Sequence, residues 1–319
     1  MGLWDMFPEK VSIVLPKGEM PEFEVVDAAC GDGWAQAGII KDAGDDPDVT
    51  HGVTVNVRVT RSGGGVVFKA GEGIGVVTKA GLPIGIGEPA INPVPRAMMD
   101  EVVAETASDY GQPPDIEITV SIPNGAEIAQ KTWNPRLGIK GGLSVLGTTG
   151  IVRPFSCAAW IASIHRGIDV AVANGLDHVA GCTGNTSEKV IQAKLGLPDH
   201  AMLDMGDFAG GVLKYLARHP VKTITLGGGI GKMTKLAQGA LDLHSGRSQV
   251  DFKAIAERYG RPGLAQANTA LEVYEMLGAA YAMDVSRDAQ STAQRVLEGS
   301  GVQCHVVVID RAGTIIGEA

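Results

Sequence analysis

The hydrophobic positions along the chain change their period near residue 140. Before it, short apolar runs alternate with polar neighbours in the two-residue period of half-buried strands. These runs cover 11–15, 22–28 and 54–61, the last with Val55, Val57 and Val59 spaced by Asn56 and Arg58. A Pro-Lys-Gly turn at 16–18 separates the first two. A helix is predicted over 95–110, with Pro95 in its first turn and Gly111 past its end, and a strand over 115–122. Beyond 140, strand, glycine loop and helix succeed one another: 143–146 runs into Gly147, 178–180 into Gly181 and 223–226 into Gly227. Helices are predicted over 156–174, 186–195, 206–219, 231–240, 251–259 and 267–299, the last breaking near 282–286. A strand over 303–310 and a turn at 311–313 close the chain. The fold class is therefore α/β with two apposed domains: an α+β sandwich over 1–140 and a Rossmann-like parallel-sheet domain over 141–302. The closing stretch 303–319 is a candidate to complete the first domain.

Composition narrows the function without altering this picture. A chain of 319 residues is near the limit of one hydrophobic core, which agrees with two domains. The 44 glycines against 5% aromatics place function in tight strand-to-helix loops. A net charge of -9 with no Lys/Arg cluster excludes a nucleic-acid partner, because neutralising phosphates needs a basic surface, and an anionic membrane surface would repel the chain. Residues 1–10 lack the basic start and apolar core of a signal peptide, and no run is apolar for long enough to span a bilayer, so the expected location is cytoplasmic. Cys30, Cys157, Cys182 and Cys304 lie far apart without a Cys-x-x-Cys pair, which reads as free thiols rather than a metal or disulfide framework.

The densest polar cluster is the loop 41–52, where Asp42, Asp45, Asp46, Asp48 and His51 crowd together. Like charges this close raise one another's pKa unless something offsets them, which makes Asp46, Asp48 and His51 candidates for catalysis. The competing account is a solvated turn in which Asp-Pro-Asp caps local backbone groups, and the spacing matches no metal-ligand frame. Gly71, Gly73 and Gly75 superficially match a dinucleotide fingerprint, but 76–78 reads as strand where the phosphate-binding helix should begin. In 87–96, Pro89, Pro93 and Pro95 hold Glu88, Asn92 and Arg96 in a rigid segment that is either a binding surface or a helix entry. Three loops follow predicted strands: Gly147, Thr148, Thr149 and Gly150; Gly181 and Thr183; Gly227, Gly228, Gly229 and Gly231. At the carboxyl ends of parallel strands they would form one cofactor crevice. Lys232 follows Gly231, yet Met233 stands where a phosphate loop needs a hydroxyl. Arg96, Lys131, Arg136, Lys140, Arg153, Lys232 and Lys235 stand in or beside these loops and suit a polycarboxylate ligand, or are ordinary surface charge.

The loop 41–52, the segment 87–96, Asn134-Pro135-Arg136-Leu137-Gly138-Ile139 and the run 142–152 together resemble the signature blocks of the CbiD family. Met205-Gly206-Asp207-Phe208, Gly231-Lys232 before Lys235-Leu236-Ala237, and His244-Ser245 look like its later blocks, so the resemblance spans nearly the whole chain. It implies methyl transfer from S-adenosylmethionine to C1 of cobalt-precorrin-5B, giving cobalt-precorrin-6A in anaerobic cobalamin synthesis. On that resemblance the glycine loops hold the cofactor. Glu88, Asn92, Arg96, Asn134, Arg136, Arg153 and Lys232 contact the macrocycle, and Asp46, Asp48 and His51 stabilise the sulfonium or accept a proton. Two departures stand out. The family opens with a Thr-Thr-Gly-Thr-Cys-type segment and an alanine-rich helix, whereas this chain starts at about the first strand; and residues 181–188 lack an arginine the family tends to carry. A nucleotide-dependent transferase with phosphate at 227–232, and a corrinoid carrier without catalysis, remain as alternatives. A homodimer is the base-rate expectation for assembly.

Overall fold

The computed structural model describes residues 7–147 and 149–319, and the chain divides into two units, 1–156 and 157–319. It is a mixed α/β protein with parallel and antiparallel strands. In the first unit β1 (Lys10–Ser12) and β2 (Glu22–Glu24) form a short antiparallel ribbon. There follow β3 (Val26–Gly31), β4 (Trp34–Ile40), β5 (Thr54–Arg61), β6 (Val67–Ala70), β7 (Val76–Val77), α1 (Pro93–Asp109), β8 (Ile116–Ser121), α2 (Gly125–Ala129) and β9 (Ile139–Lys140). The main sheet has the order β3-β4-β5-β8-β6, antiparallel except where β6 meets β8.

The two-residue period of β5 sets the core of this unit. Val55, Val57 and Val59 pack with Ile118 and Val120 of β8 and Phe68 of β6, and α1 adds Met99 and Val103, one turn apart on one helix face. The predicted strand 143–146 belongs here rather than to the parallel sheet. Leu143 bridges to Ile74 and Val145 to Ile91, because Gly73 and Gly142 let the two backbones touch: a Cβ on Gly142 would lie 2.2 Å from the carbonyl oxygen of Gly73. Gly73 is thus a backbone junction, and no helix follows it.

The second unit contains α3 (Cys157–Ala173), β10 (His178–Cys182), α4 (Asn185–Leu195), β11 (Met202–Asp204), α5 (Ala209–Leu216), β12 (Thr223–Gly229), α6 (Ile230–Ala237), α7 (Phe252–Tyr259), α8 (Ala270–Leu277), α9 (Ala279–Val296), β13 (Gln303–Ile309) and β14 (Ile315–Glu318). The sheet order is β11-β10-β12-β13-β14, parallel up to β13 and closed by antiparallel β14. Its central parallel strands are largely buried on both faces, which is why they read as apolar runs. Val179, Ile224, Leu226, Val306 and Val308 face a large core shared with α3, α5, α6, α8 and α9. Ala180, Cys182, Met202, Val307 and Ile309 face Ile191 of α4.

Three expectations are corrected. The C-terminal strand does not complete the first unit: β13 pairs in parallel with β12 along its whole length, since its alternating valines have a partner face there. The division falls after Ser156 rather than at 140, because the run after 140 is bound to β7 and its neighbours. The long helical run breaks at Gly278, not within 282–286, because φ of 68° and ψ of -152° at that glycine end α8 and start α9. No helix among the described residues is long and apolar enough to cross a membrane.

Candidate functional site

In the second unit the chain leaves β10 through α4 towards β11 and leaves β12 through α6 towards β13, in opposite directions along the sheet. The loops after β10 and β12 diverge at this point and open a crevice at the carboxyl ends of the strands. The glycines sort into two roles here. A Cβ on Gly227 would lie 2.7 Å from Ile191, one on Gly228 2.7 Å from Oγ1 of Thr183, and one on Gly181 3.2 Å from Leu226, so these three serve packing. Around Gly184, Gly229 and Gly231 a Cβ would meet nothing within 4 Å, so these face open space.

Lys232, on the first turn of α6, lies across the crevice. Its Nζ donates to the carbonyl oxygen of Thr183 at 3.1 Å and stands 3.0 Å from Oδ1 of Asp207, in the loop after β11. That Oδ1 is buried, yet the ammonium is out of hydrogen-bond alignment with it, so the contact is an ion pair without an aligned donor. Beside the pair lies a cavity of about 490 Å³, lined among others by Asp207, Gly231, Lys232, Lys235, His244 and Asn268. Lys235 Nζ donates to the carbonyl oxygen of Leu243 at 2.9 Å, tying α6 to the loop that walls the cavity. Within that loop Asp242 is bonded by Arg247 and by the His244 N–H. Slight burial raises the Asp242 pKa, but these two partners outweigh it and hold the carboxylate below its ordinary value.

The other sequence-selected residues lie in the first unit. Gly147, Thr149 and Gly150 are there, with Gly147 against Pro95 and Gly150 against Leu15, so they do not follow a strand of the parallel sheet; Thr148 lies outside the described residues. The reason is the glycine junction at Gly73 and Gly142, which holds the preceding segment in the first unit. Glu88 and Arg96 do meet, at 2.8 Å. The rest of the Arg96 fork donates to the carbonyl oxygens of Ile91 and Pro89, and its plane lies 5.3 Å from the Phe68 ring, so this arginine buckles the proline segment. Asn92 caps α1 by position, without a side-chain bond to it. Asn134 is buried, donating to Gly142 and accepting from Ser144. Arg136 lies 5.8 Å from the Trp133 ring, and Arg153 is exposed.

Asp48 and His51 of the acidic loop are satisfied within it, whereas Asp46 reaches outside. Asp48 accepts from Lys41, from the Thr50 hydroxyl and from the Thr50 N–H. Burial raises its pKa, and the Lys41 ammonium with the two Thr50 donors more than offsets this and holds the carboxyl below its ordinary value of 3.8. His51 Nδ1 accepts from the Ala43 N–H, and Asp46 accepts from the Phe155 N–H. No group of three or more His, Cys, Asp or Glu residues suited to a metal occurs among the described residues. Asp204 and Asp207 are not among the residues expected from the sequence to bind, although carboxylates at or just past the end of the second strand, about 20 residues past a glycine loop, are the positions where a nucleoside-binding βαβ unit carries its acidic residue.

A family model described as CbiD matches residues 3–154, and one described as CbiD, C-terminal domain matches residues 242–319. A cobalt-precorrin-5B C(1)-methyltransferase from Brucella canis is 56% identical over 323 aligned positions, covering 97% of this chain and 88% of that protein. The protein of the same name from Brucella anthropi is 57% identical with the same coverage. The crystal structure of a cobalamin biosynthesis protein (CbiD) from Archaeoglobus fulgidus is similar at 25% identity and a TM-score of 0.37, covering 79% of this chain and 76% of that one.

Proposed function

The chain belongs to the CbiD family, and on that premise we propose that it transfers a methyl group from S-adenosylmethionine to C1 of cobalt-precorrin-5B, giving cobalt-precorrin-6A in anaerobic cobalamin biosynthesis. The observation that carries this reading is identity of 56% over 97% of the chain to a protein named for that reaction. The second unit supports a methyl donor of this kind. Gly184, Gly229 and Gly231 leave room at the crevice, the cavity of about 490 Å³ is of cofactor size, and Asp207 offers a buried carboxylate oxygen without an aligned donor. The donor supplies an electrophilic methyl group on a sulfonium.

In this reading the Rossmann-like unit takes the donor and the α+β unit takes the macrocycle. Asp204, paired in register with Cys182 at the end of β11, accepts from the ribose hydroxyls, and Gly229 and Gly231 let the backbone approach the nucleoside. Arg136 and Arg153 meet carboxylates of the macrocycle, while Glu88, Arg96, Asn92 and Asn134 hold the shape of the surface around them. Asp46 and Asp48 contribute negative charge to their loop, while Asp48 and the Nδ1 of His51 spend acceptors inside the turn. The chain acts by holding two reactants in attack geometry and excluding water, an effect of roughly 7–11 kcal/mol in well-oriented systems.

A phosphate ligand at 227–232 is disfavoured because Asp207 puts a negative charge 3.0 Å from the only lysine of that loop. The test is isothermal titration with S-adenosylhomocysteine and, separately, with magnesium and ATP. Saturable binding of S-adenosylhomocysteine at one site per chain, without ATP binding, is expected. A folded chain that ignores S-adenosylhomocysteine would sink the proposal.

A further inference from the structure

We infer that the Asp207–Lys232 pair recognises the α-amino-acid end of the methyl donor, its carboxylate pairing with Lys232 and its ammonium with Asp207. The inference rests on the reading that the chain uses S-adenosylmethionine.

The chemistry of the pair selects a zwitterion over other ligands. A simple anion drawn to Lys232 meets the Asp207 carboxylate 3.0 Å away, and a metal cation drawn to Asp207 meets the ammonium. A ligand end that carries both charges a few ångströms apart satisfies both at once. The pair has capacity to spare. Lys232 uses one of its three donors on the carbonyl oxygen of Thr183, and its ammonium points off alignment from Oδ1 of Asp207. Their side chains are 37% and 23% exposed, so both remain accessible while sitting in a partly desolvated place where charge-assisted bonds gain strength. The flanking geometry fits the rest of such a ligand. Gly231 adjoins Lys232 with no atom within 4 Å of a Cβ position, and the cavity of about 490 Å³ continues past it towards Lys235, His244 and Asn268. Lys235 is held on the Leu243 carbonyl oxygen, so it braces the wall.

The experiment compares two probes that differ only in this end. S-Adenosylhomocysteine carries the amino-acid group; 5′-methylthioadenosine has the same nucleoside and thioether but lacks it. Both are titrated calorimetrically into the wild-type chain and into Lys232→Gln and Asp207→Asn, with circular dichroism as the check of folding. Wild type should prefer S-adenosylhomocysteine by about tenfold or more, and both variants should lose most of that preference while still binding methylthioadenosine about as well as wild type does. Retained methylthioadenosine binding shows that a variant is folded, and Lys232→Gln keeps a donor for Thr183. An unchanged preference in both variants, or no preference in wild type, overturns this inference alone. Wild type that binds neither probe overturns the cofactor reading and this inference with it.

Discussion

Asp48 spends both carboxylate oxygens inside its own turn, on Lys41 and on the side chain and N–H of Thr50. The crowding of acids in 41–52 is visible in the sequence, but its outcome is not, because Lys41 is seven positions away and reaches Asp48 only when the loop folds back. Asp48→Asn should lower stability by about 1 kcal/mol at neutral pH. The sign of the pH effect follows from the lowered folded-state pKa: the contribution is complete above the ordinary value of 3.8 and is lost as pH falls through the lower folded value. Thermal melts of wild type and variant should differ at pH 7 and converge in acid below about that value; a gap that persists undiminished there would contradict the assignment. Arg96 repeats the lesson. Its proximity to Glu88 can be anticipated from the rigid proline segment, whereas its bonds to the carbonyl oxygens of Pro89 and Ile91 depend on how that segment turns.

At the scale of elements, periodicity carries most of the information. The alternation in 54–61 marks β5 to its ends, whereas α8 begins three residues inside the predicted run 267–299, where the Thr269 hydroxyl accepts from the Glu272 N–H and Glu272 accepts from the Asn268 N–H. Short or hairpin-closing strands are harder: β11 has three residues and β14 pairs only because β13 offers an edge. The crevice glycines show how little residue type reveals about role. Gly227 and Gly229 stand two apart in one run, yet the first lets α4 close over β12 at Ile191 and the second faces open space with an ordinary φ of -71°. Gly227→Ala should therefore cost about 1–3 kcal/mol by overpacking. Gly229→Ala should leave the melting temperature nearly unchanged while weakening S-adenosylhomocysteine binding. Equal melting temperatures for the two variants would refute this division of labour.

For the whole molecule, the glycine loops that the sequence presents as one series belong to two different units. This gives a test of which unit holds the donor. Hydrogen exchange followed by mass spectrometry, with and without S-adenosylhomocysteine, should show slowed exchange at 183–185, 204–207 and 229–235 and little change in β5 and β8. Protection centred on 71–96 instead would move the donor to the first unit. The sequence by itself determined the class of the fold, most helices and central strands, and, through its resemblance to CbiD, the family, because hydrophobic period and contiguous motifs are local properties that survive in one dimension. Tertiary structure decided where the series of glycine loops divides, which carboxylates are already satisfied, and that Lys232 faces Asp207. Those outcomes rest on contacts such as Lys41–Asp48, Thr183–Lys232 and Gly73–Gly142, 7, 49 and 69 positions apart, set by strand order and by backbone approach at glycines, which no local pattern encodes.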